Sequence, residues 1–240
     1  MKKIFYAQKD RRGQTGRILL IVFLCMAMYT VDVYLSPGYF ERSLIKGVLF
    51  LLFPILYGLF HPGFDLFSIF RKGYGKNSIR NSLFLGIGVY ALLIGLYVII
   101  RGFLDMSAIE TSIISNMEVD RNNFVIVALY ISFFNSLMEE FFFRGFSCLK
   151  LGERGGKVFP YLISSGAFAL YHLSMVRGWS SPLITFLAIL GLFLSGIFFN
   201  LLNDKNKNIY NSYMVHMFAN FAINTLGLQM FGIIDLPFLR

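Results

Sequence analysis

The sequence predicts an all-α fold, a polytopic transmembrane helical bundle with about seven spanning helices. Of its 240 residues, 56% are hydrophobic and only 15% are charged, whereas a soluble domain usually carries about 25% charged residues. Apolar runs recur along the whole chain, and a spanning helix needs about 20 mostly apolar residues. The 28 Phe residues add more apolar surface than one core of this size could hide from water.

Seven segments match the pattern of a spanning helix. The first follows a basic N-terminal segment, and because no small-residue cleavage site comes after it, a retained helix is expected rather than a signal peptide. The turn sequence His61-Pro62-Gly63 ends the second. An acidic stretch from Asp105 to Asp120 is expected to form an external loop. In chain order the predicted spans are 17–35, 46–60, 82–100, 123–150, 157–175, 182–202 and 209–234.

One domain, 1–240, is expected because no Pro-, Ser- or Gly-rich linker divides the chain. Residues 1–122 have a generic membrane character, and residues 123–240 carry the polar motifs. The net charge of +9 does not indicate a nucleic-acid partner, because the Lys and Arg residues lie in short segments between apolar runs.

The distribution of basic residues predicts the orientation, since Lys and Arg in short loops mark the cytoplasmic side. If the N-terminus is cytoplasmic, every basic cluster falls on that same side. These clusters contain Lys2, Lys3, Lys9, Arg11, Arg12, Arg71, Lys72, Lys76, Arg80, Lys150, Arg154, Lys157, Lys205 and Lys207. We therefore expect an integral protein of the bacterial cytoplasmic membrane, with the lipid bilayer as a partner.

Two adjacent glutamates and an arginine interrupt the fourth predicted span. Charged side chains at the centre of a spanning helix cost about 2.5 to 3.5 kcal/mol each on insertion scales, so they usually face the bundle interior. Glu140 and Arg144 share one helix face and are expected to form a bidentate ion pair. That pair would leave Glu139 free to act as a base. The alternative is a purely structural Glu–Arg pair near the interface.

Two histidines and an amide lie in later spans. His172 follows Phe168 by four residues, and His216 precedes Asn220 by four. Singly, each is more often a packed or hydrogen-bonded helix residue than a catalytic group. Together with Glu139 they predict peptide hydrolysis, because a carboxylate and an imidazole can activate water while an imidazole and an amide stabilise an oxyanion. The sequence contains no HExxH motif, so the pattern of soluble zinc proteases is absent. It also contains no GxSxG motif with a partner histidine, which argues against a serine nucleophile.

These motifs, taken together, resemble the CAAX-protease and bacteriocin-processing family, also called the Abi family, of glutamic-type intramembrane proteases. The resemblance covers about residues 124–224. The motifs are Glu139-Glu140-x-x-x-Arg144, Phe168-x-x-x-His172 and His216-x-x-x-Asn220. They follow one another along the chain in the same order as in the family, and each lies on a separate predicted span.

The resemblance implies an intramembrane endopeptidase that cleaves a peptide or protein near the membrane. Members of the family remove three residues after a prenylated cysteine, or take part in bacteriocin maturation, self-immunity or surface-protein sorting. A lipidated or membrane-anchored substrate is therefore within the expected range. The implied roles are water activation by Glu139 and His172, an oxyanion site from His216 and Asn220, and support from Glu140, Arg144 and Phe168.

Three alternatives remain open at this point. No cofactor is required if Glu139 is the base, but Glu140, His172 and His216 could instead form a zinc-binding set with Glu139 as base. A proton-coupled transporter also carries charges inside the membrane, although the inverted repeats typical of many carriers are not seen. A non-catalytic bacteriocin immunity protein would keep the helices without using the site, although all seven motif residues are present.

Overall fold

The computed structural model describes residues 2–61, 63–71, 76–154, 156–176 and 181–239. Within these ranges the regular structure is helical and no strand occurs, so the predicted all-α fold is confirmed. Pro62 of the predicted turn and Lys72 of the predicted basic clusters lie outside the described residues.

Three long helical units make up the N-terminal half. The helix α1 (Lys2–Thr30) continues into a π-helical segment (Val31–Leu35). A second unit consists of α2 (Tyr39–Gly47), a π-helical segment (Val48–Leu52) and α3 (Phe53–Phe60). The short α4 (Ser68–Arg71) precedes α5 (Lys76–Ile100), which ends in a 3-10 turn (Arg101–Phe103).

The acidic stretch predicted as a loop instead contains a helix, α6 (Met106–Met117). Asp105 caps its N-terminus, where the carboxylate accepts a hydrogen bond from the backbone N–H of Ala108 at 2.9 Å. This bond stabilises the ionised carboxylate and lowers the pKa of Asp105. The connection between the third and fourth spans therefore contains a short helix with a capped N-terminus.

The C-terminal half begins with one long helix, called the motif helix here (Phe124–Leu149). It consists of α7 (Phe124–Tyr130), a π-helical segment (Ile131–Asn135), α8 (Ser136–Glu139) and a second π-helical segment (Glu140–Leu149). After it come a 3-10 turn (Gly152–Arg154), α9 (Val158–Tyr171), α10 (Leu173–Val176), α11 (Pro182–Asp204), α12 (Tyr210–Met230) and a 3-10 turn (Pro237–Leu239). The wider π-helical turns coincide with the glutamate motif, and such turns are frequent at functional sites.

Five helices in the described residues are long and apolar enough to cross a membrane. They correspond to the first, second, third, fourth and sixth predicted spans. The helix α9, with 14 residues, is too short to cross a membrane. The helix α12 has 21 residues, but its several buried polar side chains make it less apolar than the five. The five are Gly13–Leu35, Tyr39–Phe60, Ser78–Phe103, Phe124–Leu149 and Pro182–Asp204.

Aromatic side chains of the motif helix form the centre of the core. Phe142, Phe143 and Phe146 have no exposed surface. Phe50 of the second span stacks on Phe142 with ring centroids 4.2 Å apart. Phe143 meets Phe168 of α9 edge to face at 5.3 Å. These contacts fix the motif helix between the second span and α9.

The helix α11 approaches α9 closely at Gly196. A Cβ atom at this position would lie 2.9 Å from both Cα and Cβ of Ser165, so only glycine permits the observed distance between the two backbones. Asn200, one turn further along α11, donates a hydrogen bond to the Ser165 hydroxyl at 3.2 Å. This tight contact holds α9, and with it His172 at its end, in a defined position.

Candidate active site

Glu139, at the end of α8, is the centre of a buried polar cluster, and its side chain is 2% exposed. Its Oε2 atom lies 3.7 Å from Nε2 of His216 and 4.0 Å from Nε2 of His172. Both distances are too long for a direct hydrogen bond and suit a bridging water molecule. The structure thus brings three of the predicted site residues together around one carboxylate oxygen.

His172 directly follows α9 and is oriented by the residue four positions earlier. Its Nδ1 lies 2.7 Å from the carbonyl oxygen of Phe168, and the two rings meet edge to face at 4.6 Å. Because a carbonyl oxygen can only accept, Nδ1 carries the proton, and Nε2 of the neutral ring keeps a lone pair facing Glu139. At 16% exposed, the His172 side chain is also the most accessible of the three.

His216 lies in the second turn of α12 and is oriented by Glu140. Its Nδ1 lies 2.9 Å from Glu140 Oε1, and the Ser212 hydroxyl donates to the other oxygen of the same carboxylate. Asn203 of α11 in turn donates to Ser212 at 2.6 Å. A carboxylate at Nδ1 fixes the orientation of the ring. Ser212 and Asn203 are absent from the predicted site.

Glu140 and Arg144 form the predicted ion pair, but without the predicted bidentate geometry. Nη1 of Arg144 lies 3.5 Å from Oε1 of Glu140, and among the described residues none accepts a hydrogen bond from the guanidinium. The guanidinium lies between the rings of Phe168 and Phe199, 4.1 and 4.9 Å from their centroids. The carboxylate of Glu140 is engaged by α12 instead, which explains the difference from the prediction.

Asn220 holds α12 against the motif helix. Its Nδ2 lies 2.8 Å from the Ser136 hydroxyl and 3.3 Å from the carbonyl oxygen of Ile131. Asn224, one turn further along, donates to the carbonyl oxygen of Ala128 at 2.9 Å. Both amide hydrogens of Asn220 are therefore directed at the motif helix rather than at the space between the glutamate and the imidazoles.

Lys46, from the second span, is absent from the predicted site but contacts its central carboxylate. Its ammonium group donates to Oε1 of Glu139 and, at 2.5 Å, to Oδ1 of Asn135. Glu139 therefore has a cationic partner on another helix. A lysine within an apolar span was the available signal. Because the predicted span begins at position 46, Lys46 is expected at a helix end, where a lysine is common. The helix begins instead at Tyr39, so Lys46 lies inside it.

A second buried ion pair lies next to this cluster. Nη2 of Arg42 lies 2.6 Å from Oδ2 of Asp32, and the Ser174 hydroxyl donates to the same oxygen at 2.7 Å. Arg42 precedes Lys46 by one helical turn, and Ser174 follows His172 by two residues. The pair thus connects the end of the first span and the start of the second to the segment after His172.

The zinc alternative requires Glu140, His172 and His216 to converge on one point. Glu140 contacts Nδ1 of His216. His172 lies near Glu139 instead, and Glu139 faces Nε2, the other nitrogen of the His216 ring. One imidazole cannot direct both of its nitrogens at the same ion, so this set does not fit a zinc site. In the part of the chain that the structure describes, no group of three or more His, Cys, Asp or Glu side chains has a suitable geometry.

The fold and the cluster define an α-helical integral membrane protein with a buried glutamate–histidine centre. Residues 121–222, which contain all three motifs, match the family model described as type II CAAX prenyl endopeptidase Rce1-like. This match confirms the resemblance inferred from the motifs. Neither a curated protein nor a solved structure matches the chain.

Proposed function

We propose that the protein is an intramembrane endopeptidase in which Glu139 and His172 activate water against a peptide bond of a membrane-associated substrate. The main support is the position of Glu139 Oε2 within 4.0 Å of Nε2 in both His172 and His216. Groups at this separation exchange protons through one water molecule. The match of the surrounding segment to a CAAX-type endopeptidase family supports the same reaction class.

In the proposed reaction, a water molecule between these groups donates one hydrogen to Glu139 and the other to Nε2 of His172. As the water oxygen bonds to the carbonyl carbon of the peptide, Glu139 accepts the proton and the carbonyl oxygen becomes an oxyanion. The oxyanion then collapses, the C–N bond breaks, and the proton passes from Glu139 to the leaving amine. The products are a new carboxyl terminus and a new amino terminus.

His216 is the proposed oxyanion donor. Glu140 at Nδ1 stabilises the protonated ring, whose Nε2–H then points into the space shared with Glu139. The contacts of Asn220 support a positioning role, because its amide hydrogens are directed at Ser136 and Ile131. A role for Asn220 as a second oxyanion donor would require its side chain to turn away from Ser136.

The proposed substrate is a peptide tethered to the bilayer by a prenylated cysteine, the class named in the description of the matching family. Detergent-purified protein is expected to cleave such a peptide on the C-terminal side of the modified cysteine, and mass spectrometry would locate the cut. The unprenylated peptide is the control, and an equal rate on both would remove the lipid from the proposal. A folded protein that cleaves neither peptide would contradict this substrate class.

We also propose a cytoplasmic N-terminus, supported by the charge distribution. In a variant with Cys25 and Cys148 replaced by Ala, a cysteine introduced at the exposed Thr111 of α6 should react with an impermeant thiol reagent outside intact cells. A cysteine at the exposed Lys205 should react only after permeabilisation. The reverse labelling pattern would invert the proposed topology.

A further inference from the structure

We propose that Lys46 is a positioning residue for Glu139, holding one carboxylate oxygen so that the other faces the two imidazoles. This inference rests on the proposed function, because it takes Glu139 to be the base. Lys46 lies outside the three motifs and outside the matched segment 121–222. It would therefore extend the site into the N-terminal half of the chain.

The two oxygens of Glu139 have different surroundings. Oε1 accepts hydrogen bonds from Nζ of Lys46 and, at 3.1 Å, from Nδ2 of Asn135. Because Lys46 also donates to Asn135, the three side chains form a closed triangle in which each contacts the other two. This triangle fixes the rotation of the carboxylate and leaves Oε2 for the imidazoles. Supporting contacts of this kind hold a reactive group in its productive geometry.

Lys46 is also placed to keep Glu139 ionised. It is 4% exposed, and its Nζ lies 4.7 Å from the ring centroid of Tyr171, so the charge is not screened by water. A cation in contact with a carboxylate favours the ionised form, which is the form that accepts a proton. The titratable and charged side chains that face Glu139 are Lys46, His172, His216, Tyr39, Tyr171 and Arg144.

Lys46 does not lie at an end of its spanning helix, where the lysines of such helices are usually found. A lysine near a helix end usually extends its ammonium toward the interface. Lys46 instead lies two turns inside the span Tyr39–Phe60 and points into the bundle. Arg42, one turn earlier on the same helix, forms its own buried ion pair with Asp32. The Arg42 pair provides a matched control, because it has a similar burial without a contact to Glu139.

The first test compares kcat and KM of three variants on the same prenylated peptide. Lys46→Met removes the ammonium and keeps most of the length of the side chain. We expect kcat to fall about 10²-fold through misplacement of the base, with KM nearly unchanged. Lys46→Arg retains a cation and is expected to recover part of kcat. Arg42→Gln breaks the neighbouring ion pair without a contact to Glu139, so it is expected to lower the stability but to leave kcat per folded molecule close to that of the unmodified protein.

A second test does not depend on activity. Lys46→Met leaves the carboxylate of Glu139 buried without its cation, so adding Glu139→Gln to this variant is expected to raise its melting temperature in detergent. A double-mutant cycle over the two positions measures this coupling. Additive changes in melting temperature would contradict a direct Lys46–Glu139 interaction.

The outcomes distinguish the inference from the function on which it rests. An unchanged kcat in folded Lys46→Met would overturn the role of Lys46 and leave the proposed function intact. An Arg42→Gln variant as inactive as both Lys46 variants would show a general structural effect and would also overturn it. Normal cleavage by Glu139→Gln would instead overturn the proposed function.

Discussion

Glu139→Gln is expected to abolish peptide cleavage. Glutamine keeps the shape of the side chain but cannot accept a proton from water, and the loss of a general base costs about 10²-fold or more in rate. Stability should fall as well, because Lys46 loses its buried counter-ion. Breaking a buried ion pair typically costs about 3 to 5 kcal/mol, and the retained amide oxygen should reduce that loss. Cleavage of the prenylated peptide and thermal unfolding in detergent measure the two effects.

Asp65→Asn is the matched control for this variant. Asp65 also pairs with a cation, Arg71, but the side chains of Asp65 and Arg71 are 54% and 64% exposed. Exposed ion pairs contribute little to stability, so both the cleavage rate and the melting temperature should stay near those of the unmodified protein. A Glu139→Gln protein that behaves like this control would exclude Glu139 as the base.

Arg144→Ala is expected to give the largest loss of stability. The Arg144 side chain is fully buried between the rings of Phe168 and Phe199. Truncation would leave a cavity between the two rings and remove the cation nearest to Glu140 on the motif helix. Large-to-small changes in a core and the breaking of buried ion pairs each cost on the order of 3 to 5 kcal/mol. Unfolding of the purified variant in detergent measures the loss.

Arg144→Met separates the packing of Arg144 from its charge. Methionine fills much of the same space between the rings without a charge. Since no described residue accepts a hydrogen bond from the guanidinium, methionine should retain clearly more stability than alanine. Similar losses in both variants would show that the charge near Glu140, rather than the packing between Phe168 and Phe199, is what stabilises the fold.

The sequence predicts the helical fold and the polar residues of the site for one physical reason. A bilayer excludes charged and strongly polar side chains from a spanning helix unless they face the interior. Glu139, His172 and His216 therefore stand out against their apolar surroundings. The π-helical turns within the motif helix have no comparable signal, because hydropathy does not report the width of a helical turn.

The partners of these residues are harder to predict, because spacing along one helix does not show which neighbour lies across from it. The i, i+4 spacing suggests Arg144 as the partner of Glu140, and Nη1 of Arg144 lies 3.5 Å from the carboxylate. The hydrogen bonds to that carboxylate, however, come from His216 and Ser212 of α12. The contact of Lys46 with Glu139 joins residues 93 positions apart. Only the packing of the second span against the motif helix brings that pair together.

The most direct test of Glu139 as the base is the cleavage rate of the double variant Glu139→Gln, Lys46→Met. This variant contains neither charge of the buried pair, so its fold should be retained where the single variants lose stability. Its rate is compared with that of the Lys46→Met single variant at equal concentrations of folded protein, on the same prenylated peptide. We predict that the double variant is slower by about 10²-fold or more, because the general base is lost. Cleavage at the rate of the Lys46→Met single variant would contradict the assignment of Glu139 as the water-activating residue.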